Sequence, residues 1–121
     1  MQGIVIVSHA HGIAEGLKAL LSEIASDIPI TTAGGLDEAT IGTNLPRVSE
    51  AIEQNPAQTL HVFYDLGSAL MNVEMAEEMT EKTLIVHKAA LVEGAFIAAA
   101  MIMSQADADK ITDELKKLIV K

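Results

Sequence analysis

The chain predicts a doubly wound α/β fold, a mainly parallel four-stranded sheet in the order 2-1-3-4 with helices on both faces. Three observations predict it. Aliphatic runs of strand length alternate with segments of helical periodicity four times in succession, which implies parallel strands joined by right-handed crossovers. The runs are apolar at consecutive positions rather than alternate ones, as strands covered on both faces must be. Half of the 121 residues are hydrophobic but only 2% are aromatic, so the core is built from Ala, Val, Ile, Leu and six Met. This length suits one domain spanning residues 1–121.

Each element follows from local pattern. Ile4 to Ser8 is a first strand. From Gly12 to about Ala25, Ile13, Leu17, Leu20, Leu21 and Ile24 recur at a spacing that keeps one helical face on a sheet. Pro29 to Thr32 is a short second strand, and Gly34-Gly35 opens a polar loop that runs to Thr43. A helix from about Asn44 to Gln54 follows, with Thr43 or Asn44 as its cap and Pro46 in its first turn, where a missing amide hydrogen costs little. Thr59 to Tyr64 is the third strand, and Gly67 to about Met79 a helix carrying Leu70, Val73 and the stripe Met71, Met75, Met79, read as adaptable core filler. Thr83 to Val86 is the fourth strand. Val92 to Met103 is apolar nearly all round, so its helix needs a second cover beyond the sheet, for which a partner subunit is one source. A last helix starts at Asp107 and turns Ile111, Leu115, Leu118 and Ile119 inward.

Charge and composition narrow the function. Seventeen acidic residues against eight basic give a net charge of -9, which repels a phosphate backbone and argues against nucleic acid as partner. With no cysteine, disulfides, thiolate nucleophiles and cysteine-based zinc sites are excluded. The first apolar run is too short for a signal peptide and the longest, Ala95 to Met103, is far short of a bilayer span, so a cytoplasmic protein is expected. Neither a GxxxxGK[ST] loop nor a dinucleotide-type glycine pattern is present, and no bound nucleotide or metal is expected.

In the flavodoxin-like strand order the first strand lies between the second and third, and the carboxyl ends of strands one and three flank the topological switch point where ligand chemistry is expected. His9 and Asp65 are the first residues after those strands. A carboxylate bonded to one ring nitrogen fixes the tautomer, leaves the other nitrogen's lone pair free to attack phosphorus, and stabilises the cationic ring that forms. The following turn, Gly67, Ser68 and Ala69, presents backbone amides at a helix start, where an anion is favoured. Gly34, Gly35 and Thr43 reach the same edge, as do His11 and His87, all possible lining of the site. By residue type alone His9 also reads as a loop histidine and Asp65 as a helix cap. His61, inside a strand, reads as a packed or edge residue.

The runs Ile4 to His9, Ala14-Glu15-Gly16, Ala33-Gly34-Gly35, Ile41-Gly42-Thr43, Tyr64 to Ala69, Met71-Asn72 and Leu91 to Ala95 resemble the phosphotransferase subunit of bacterial dihydroxyacetone kinase, itself related to the mannose-type IIA domains of the sugar phosphotransferase system. The resemblance runs from the first strand through the fourth helix. It implies that His9 is phosphorylated by the histidine-containing phosphocarrier protein and passes the group to ADP, which stays on the kinase's nucleotide-binding subunit. It further implies a homodimer, an orienting role for Asp65, and a phosphate-side turn at Gly67, Ser68 and Ala69. Ala10 and His11 stand where relatives often carry small polar residues, which sets a second histidine beside the first. Three other readings remain: a mannose-type IIA domain serving a sugar permease, a metal-dependent hydrolase built on His9, His11, His87 and Asp65, and a receiver-like module phosphorylated on Asp65.

Overall fold

The computed structural model describes all 121 residues. Four strands, β1 (Gln2–Ser8), β2 (Ile30–Gly34), β3 (Thr59–Tyr64) and β4 (Thr83–His87), form one sheet in the order β2-β1-β3-β4, parallel throughout. The fold is therefore the flavodoxin-like arrangement expected, with strand ends within a residue or two of prediction.

Five helices cover the sheet: α1 (His11–Ile24), α2 (Leu45–Gln54), α3 (Leu70–Met79), α4 (Leu91–Met103) and α5 (Ala108–Leu115). Strand alternation divides the core between the two faces. Ile4, Ile6 and Phe63 point to one face and pack with Ala14, Leu17 and Leu21 of α1, Ala95 and Ala99 of α4, and Ile111 and Leu115 of α5. Val5, Val7, Val62 and Tyr64 point to the other, against Val48 and Ile52 of α2 and Val73 and Ala76 of α3. The helices facing the sheet contribute many alanines, which let backbones approach closely where aromatic bulk is absent.

Caps behave as their side chains dictate. The Asn44 side chain accepts from Arg47 N at 2.9 Å and Pro46 sits in the first turn of α2, while Asp107 accepts from Lys110 N at 2.8 Å. The far end of α2 is closed by a cation: Lys82 Nζ donates to the carbonyls of Ile52, at 2.8 Å, and Asn55, where the dipole is negative.

Four expectations are corrected. Gly67–Ala69 is a 3₁₀ turn, and the α-helix begins only at Leu70. In α1 the buried positions are Ala14, Leu17 and Leu21, whereas Ile13, Leu20 and Ile24 flank that face and stay exposed. The methionine stripe of α3 faces solvent, because Val73 and Ala76 are the residues that touch the sheet; Ile119, beyond a terminal 3₁₀ turn (Lys116–Leu118), is likewise exposed. The second cover expected over α4 comes from α5 and α1 of the same chain, and of its large apolar side chains Val92, Phe96 and Met103 remain exposed.

Candidate functional site

The carboxyl edge of the sheet carries the polar cluster. β1 pairs with β3 so that Val7 lies beside Tyr64, and Asp65 N donates to Val7 O at 3.2 Å, which sets Asp65 next to the turn leaving β1. Its carboxylate is saturated. Oδ1 receives Leu66 N at 2.7 Å and His9 Nδ1 at 2.9 Å; Oδ2 receives the Ser8 hydroxyl at 2.8 Å and His9 N at 2.9 Å. Burial pushes this carboxyl group up, but the bonds from the His9 ring, the His9 amide, Ser8 and Leu66 outweigh it and hold it below the usual aspartate range. Asp65 is therefore an acceptor only, so His9 Nδ1 carries the ring proton and Nε2 presents its lone pair.

Nε2 faces the Ser68 hydroxyl at 2.8 Å, and the His9 side chain keeps 19% of its surface open. The 3₁₀ turn after β3 is what raises Ser68 into that position. The result is an imidazole fixed at one nitrogen and available at the other.

The loop after β2 closes the second side. Gly35 N donates to Ser8 O at 3.0 Å and Gly42 N to His9 O at 2.8 Å, so the loop is bonded to the residues that carry the ring. Gly34 lies against the start of α1, where a Cβ would meet the His11 Cα and Ala14 Cβ at 2.8 Å, and Gly35 has φ +70°, which an L side chain rarely adopts. Thr43 accepts from Asn72 at 2.9 Å, tying the loop to α3, and Arg47 donates to Gly34 O at 3.0 Å.

The sequence-predicted residues thus divide. His9, Asp65, Ser68 and the Gly34, Gly35 and Thr43 loop come together, with His11 at the first position of α1. His87 does not join them. It ends β4, two strands from β1, and its ring is buried on the α4/α5 face, bonded to His61 and stacked on Phe63. Ala69 N donates to Leu66 O at 2.9 Å, which removes that amide from the anion-binding role expected of it. No group of three or more His, Asp or Glu side chains is gathered in a metal-binding arrangement, so the four residues of the hydrolase alternative do not form one site. Sequence reasoning misses Ser8, whose fully buried hydroxyl at the end of β1 requires a polar partner and finds it in Asp65.

A flavodoxin-like sheet with a carboxylate-braced, half-open imidazole at its switch point defines a class of α/β domains built for chemistry on one ring nitrogen. Residues 3–112 match the family described as the PTS system fructose IIA component, EIIA-man, and the chain belongs to that family. It is 46% identical over 118 residues, 98% of this chain and 96% of the relative, to the "PTS-dependent dihydroxyacetone kinase, phosphotransferase subunit DhaM" of Lactococcus lactis subsp. lactis. It is 44% identical over 119 residues, with the same coverage, to the "PEP-dependent dihydroxyacetone kinase 1, phosphoryl donor subunit DhaM" of Listeria innocua serovar 6a. Among solved structures it is similar to EF1359, described as a protein of unknown function, with TM-score 0.83, 29% identity and coverage of 99% of this chain and 96% of that one. No helix is long and apolar enough to cross a membrane.

Proposed function

We propose that this chain is the phosphoryl donor subunit of a phosphoenolpyruvate-dependent dihydroxyacetone kinase, carrying the group on His9 Nε2. The observation that supports it is the His9 ring, closed at Nδ1 by Asp65 and open at Nε2 except for the Ser68 hydroxyl. The near-full-length similarity to two DhaM subunits supplies the metabolic setting.

In the first step the Nε2 lone pair attacks the phosphorus of the phosphohistidine on the histidine-containing phosphocarrier protein. A new N–P bond forms as the donor's N–P bond breaks, and the donor ring leaves neutral after recovering its lone pair. Asp65 accepts the Nδ1 proton's hydrogen bond throughout and stabilises the ring as it becomes cationic. The Ser68 hydroxyl turns from Nε2 to a phosphoryl oxygen, alongside the amides of Gly67 and Ser68. In the second step a terminal oxygen of ADP, held by the kinase's nucleotide-binding subunit, attacks phosphorus; the P–O bond of ATP forms, the Nε2–P bond breaks, and His9 is restored. The nucleotide belongs to the acceptor, and this chain works as a homodimer through the exposed side chains of α4.

The test is intact-protein mass after incubation with phosphoenolpyruvate, enzyme I and the phosphocarrier protein, for wild type and His9→Ala. A gain of one phosphoryl group in wild type alone is expected; a gain in His9→Ala moves the site elsewhere, and none in either defeats the reading. The family description, a fructose IIA component, supports a second reading in which the acceptor is a sugar permease subunit. Transfer from the phosphorylated chain to that subunit, but not to the ADP-loaded kinase subunit, selects it.

A further inference from the structure

The last residue of the chain lies against the peptide that carries Asp65. Beyond α5 the backbone turns back along the outer edge of the sheet: Ala90 N donates to Leu118 O at 2.9 Å and Val120 N to Lys88 O at 3.1 Å, an antiparallel bridge centred on Ala89 and Ile119. This strap delivers the Lys121 ammonium to two main-chain carbonyls, Tyr64 O at 2.6 Å and Ala89 O at 3.0 Å, and sets it 4.4 Å from the centre of the Tyr64 ring.

Why an ammonium is needed there follows from the ladder. β3 and β4 pair as far as Phe63 and His87, after which β4 ends and the chain departs toward α4. The next carbonyl of β3, that of Tyr64, has lost its strand neighbour on this side, yet Tyr64 is buried. Lys121 supplies the missing donor. The peptide unit between Tyr64 and Asp65 is then held on both sides, its N–H by Val7 O and its C=O by Lys121. Burial pushes the Lys121 ammonium down and the Asp65 carboxylate opposes that, so the two charges sense each other.

We propose that Lys121 is a positioning residue of the phosphoryl site, anchoring the peptide that carries Asp65 and keeping a positive charge behind its carboxylate. It touches neither His9 nor the transferred group; it acts through Asp65. Its charge also offsets the negative charge that a phosphoryl group brings to Nε2, in a chain whose eight basic residues stand against seventeen acidic ones. Other charged or titratable groups near this edge include His11 at the start of α1, Asp37 in the loop after β2, Arg47 of α2, and Glu74 of α3, whose charge acts on Tyr64. The role in transfer rests on the carrier reading, but the electrostatic coupling does not.

The experiment therefore has two arms, run on the full chain as wild type, Lys121→Met and Lys121→Arg. In the first, NMR follows the Asp65 carboxyl carbon through pH without any donor protein. Removing a cation favours the protonated carboxyl, so the Asp65 midpoint in Lys121→Met should rise, with Lys121→Arg at the wild-type value. In the second, the rate of phosphorylation should fall about fivefold in Lys121→Met and recover in Lys121→Arg. A midpoint unchanged in Lys121→Met, or shifted equally in Lys121→Arg, overturns the proposal. A wild type that takes no phosphoryl group while the midpoints move as expected defeats the carrier reading and leaves the coupling standing. Lys121→Gln, which keeps an N–H donor without the charge, replaces Lys121→Met should that variant not fold.

Discussion

Two hydrogen-bonded histidine systems sit in this small fold, and they end differently. At the carboxyl edge, Asp65 takes the proton side of His9 and leaves Nε2 facing a hydroxyl and solvent. Inside the sheet, on the α4/α5 face, Gln2 Nε2 donates to Ala106 O, so its oxygen accepts from His61 Nε2 at 2.6 Å, and His61 Nδ1 accepts in turn from His87 Nε2 at 2.8 Å. The second system contains no carboxylate, and its rings are 0% and 5% exposed. Burial pushes both rings down to about 4, and the neighbouring His61 further disfavours a charge on His87. The same side chain is thus a carboxylate-braced ring with one nitrogen accessible in one place and a neutral packing element in the other. The partner at the far nitrogen and the access at the near one decide which.

The largest expected effect breaks the first system. Asp65→Asn keeps the shape but offers an N–H where an acceptor is needed, or turns the ring to the other tautomer. Phosphorylation of His9 should slow by about 100-fold or more, with little loss of stability. A rate within threefold of wild type, measured by quenched-flow mass analysis, refutes the orienting role.

Acid sharpens the contrast from the other side. The unfolded His61 and His87 bind protons near pH 6.5 and the folded ones only near pH 4, so between those values the unfolded state binds more protons and the fold loses stability as pH falls. The loss is up to about 3 kcal/mol per ring and vanishes above pH 6.5. Urea titrations at pH 7 and pH 4.5 check it, and the combined change His61→Leu and His87→Phe should flatten this dependence. Equal steepness in the double variant would assign the acid sensitivity to the carboxylates instead.

Smaller effects follow. Ser68→Ala removes one neutral hydrogen bond to Nε2 and should lower the transfer rate by about five- to tenfold while the His9→Ala control stays inactive. Lys82→Met uncaps α2 and should cost about 1 kcal/mol of stability without altering transfer, read from thermal unfolding beside the phosphorylation assay.

The fold was legible because the aliphatic strands and amphipathic helices alternate in a parallel-sheet rhythm, and strand order then placed His9 beside Asp65 with no contact information. Helix faces were less legible. In α1, Leu20 and Leu21 satisfy the same periodicity, and small Ala14 wins the sheet because a close helix approach leaves no room for a larger side chain. His87 misled because its place in sequence fixes the strand end but not the face; pairing with Phe63 turns it away from the site. Ser8 and Lys121 depend on bonds across 57 positions each, which no local pattern carries.

The alignment of β1 with β3 makes the site a gauge of strand register. Asp65 meets His9 only while Val7 lies beside Tyr64. A slip by one residue would turn β3's core side chains to the opposite face, and the smallest slip that preserves the faces, two residues, carries Asp65 away by about 6.6 Å. A mispaired sheet could keep much of its helix content and compactness and still lack the brace on Nδ1. On the proposed function, phosphoryl uptake during refolding would count molecules whose central strands have found the native alignment, which circular dichroism alone cannot do.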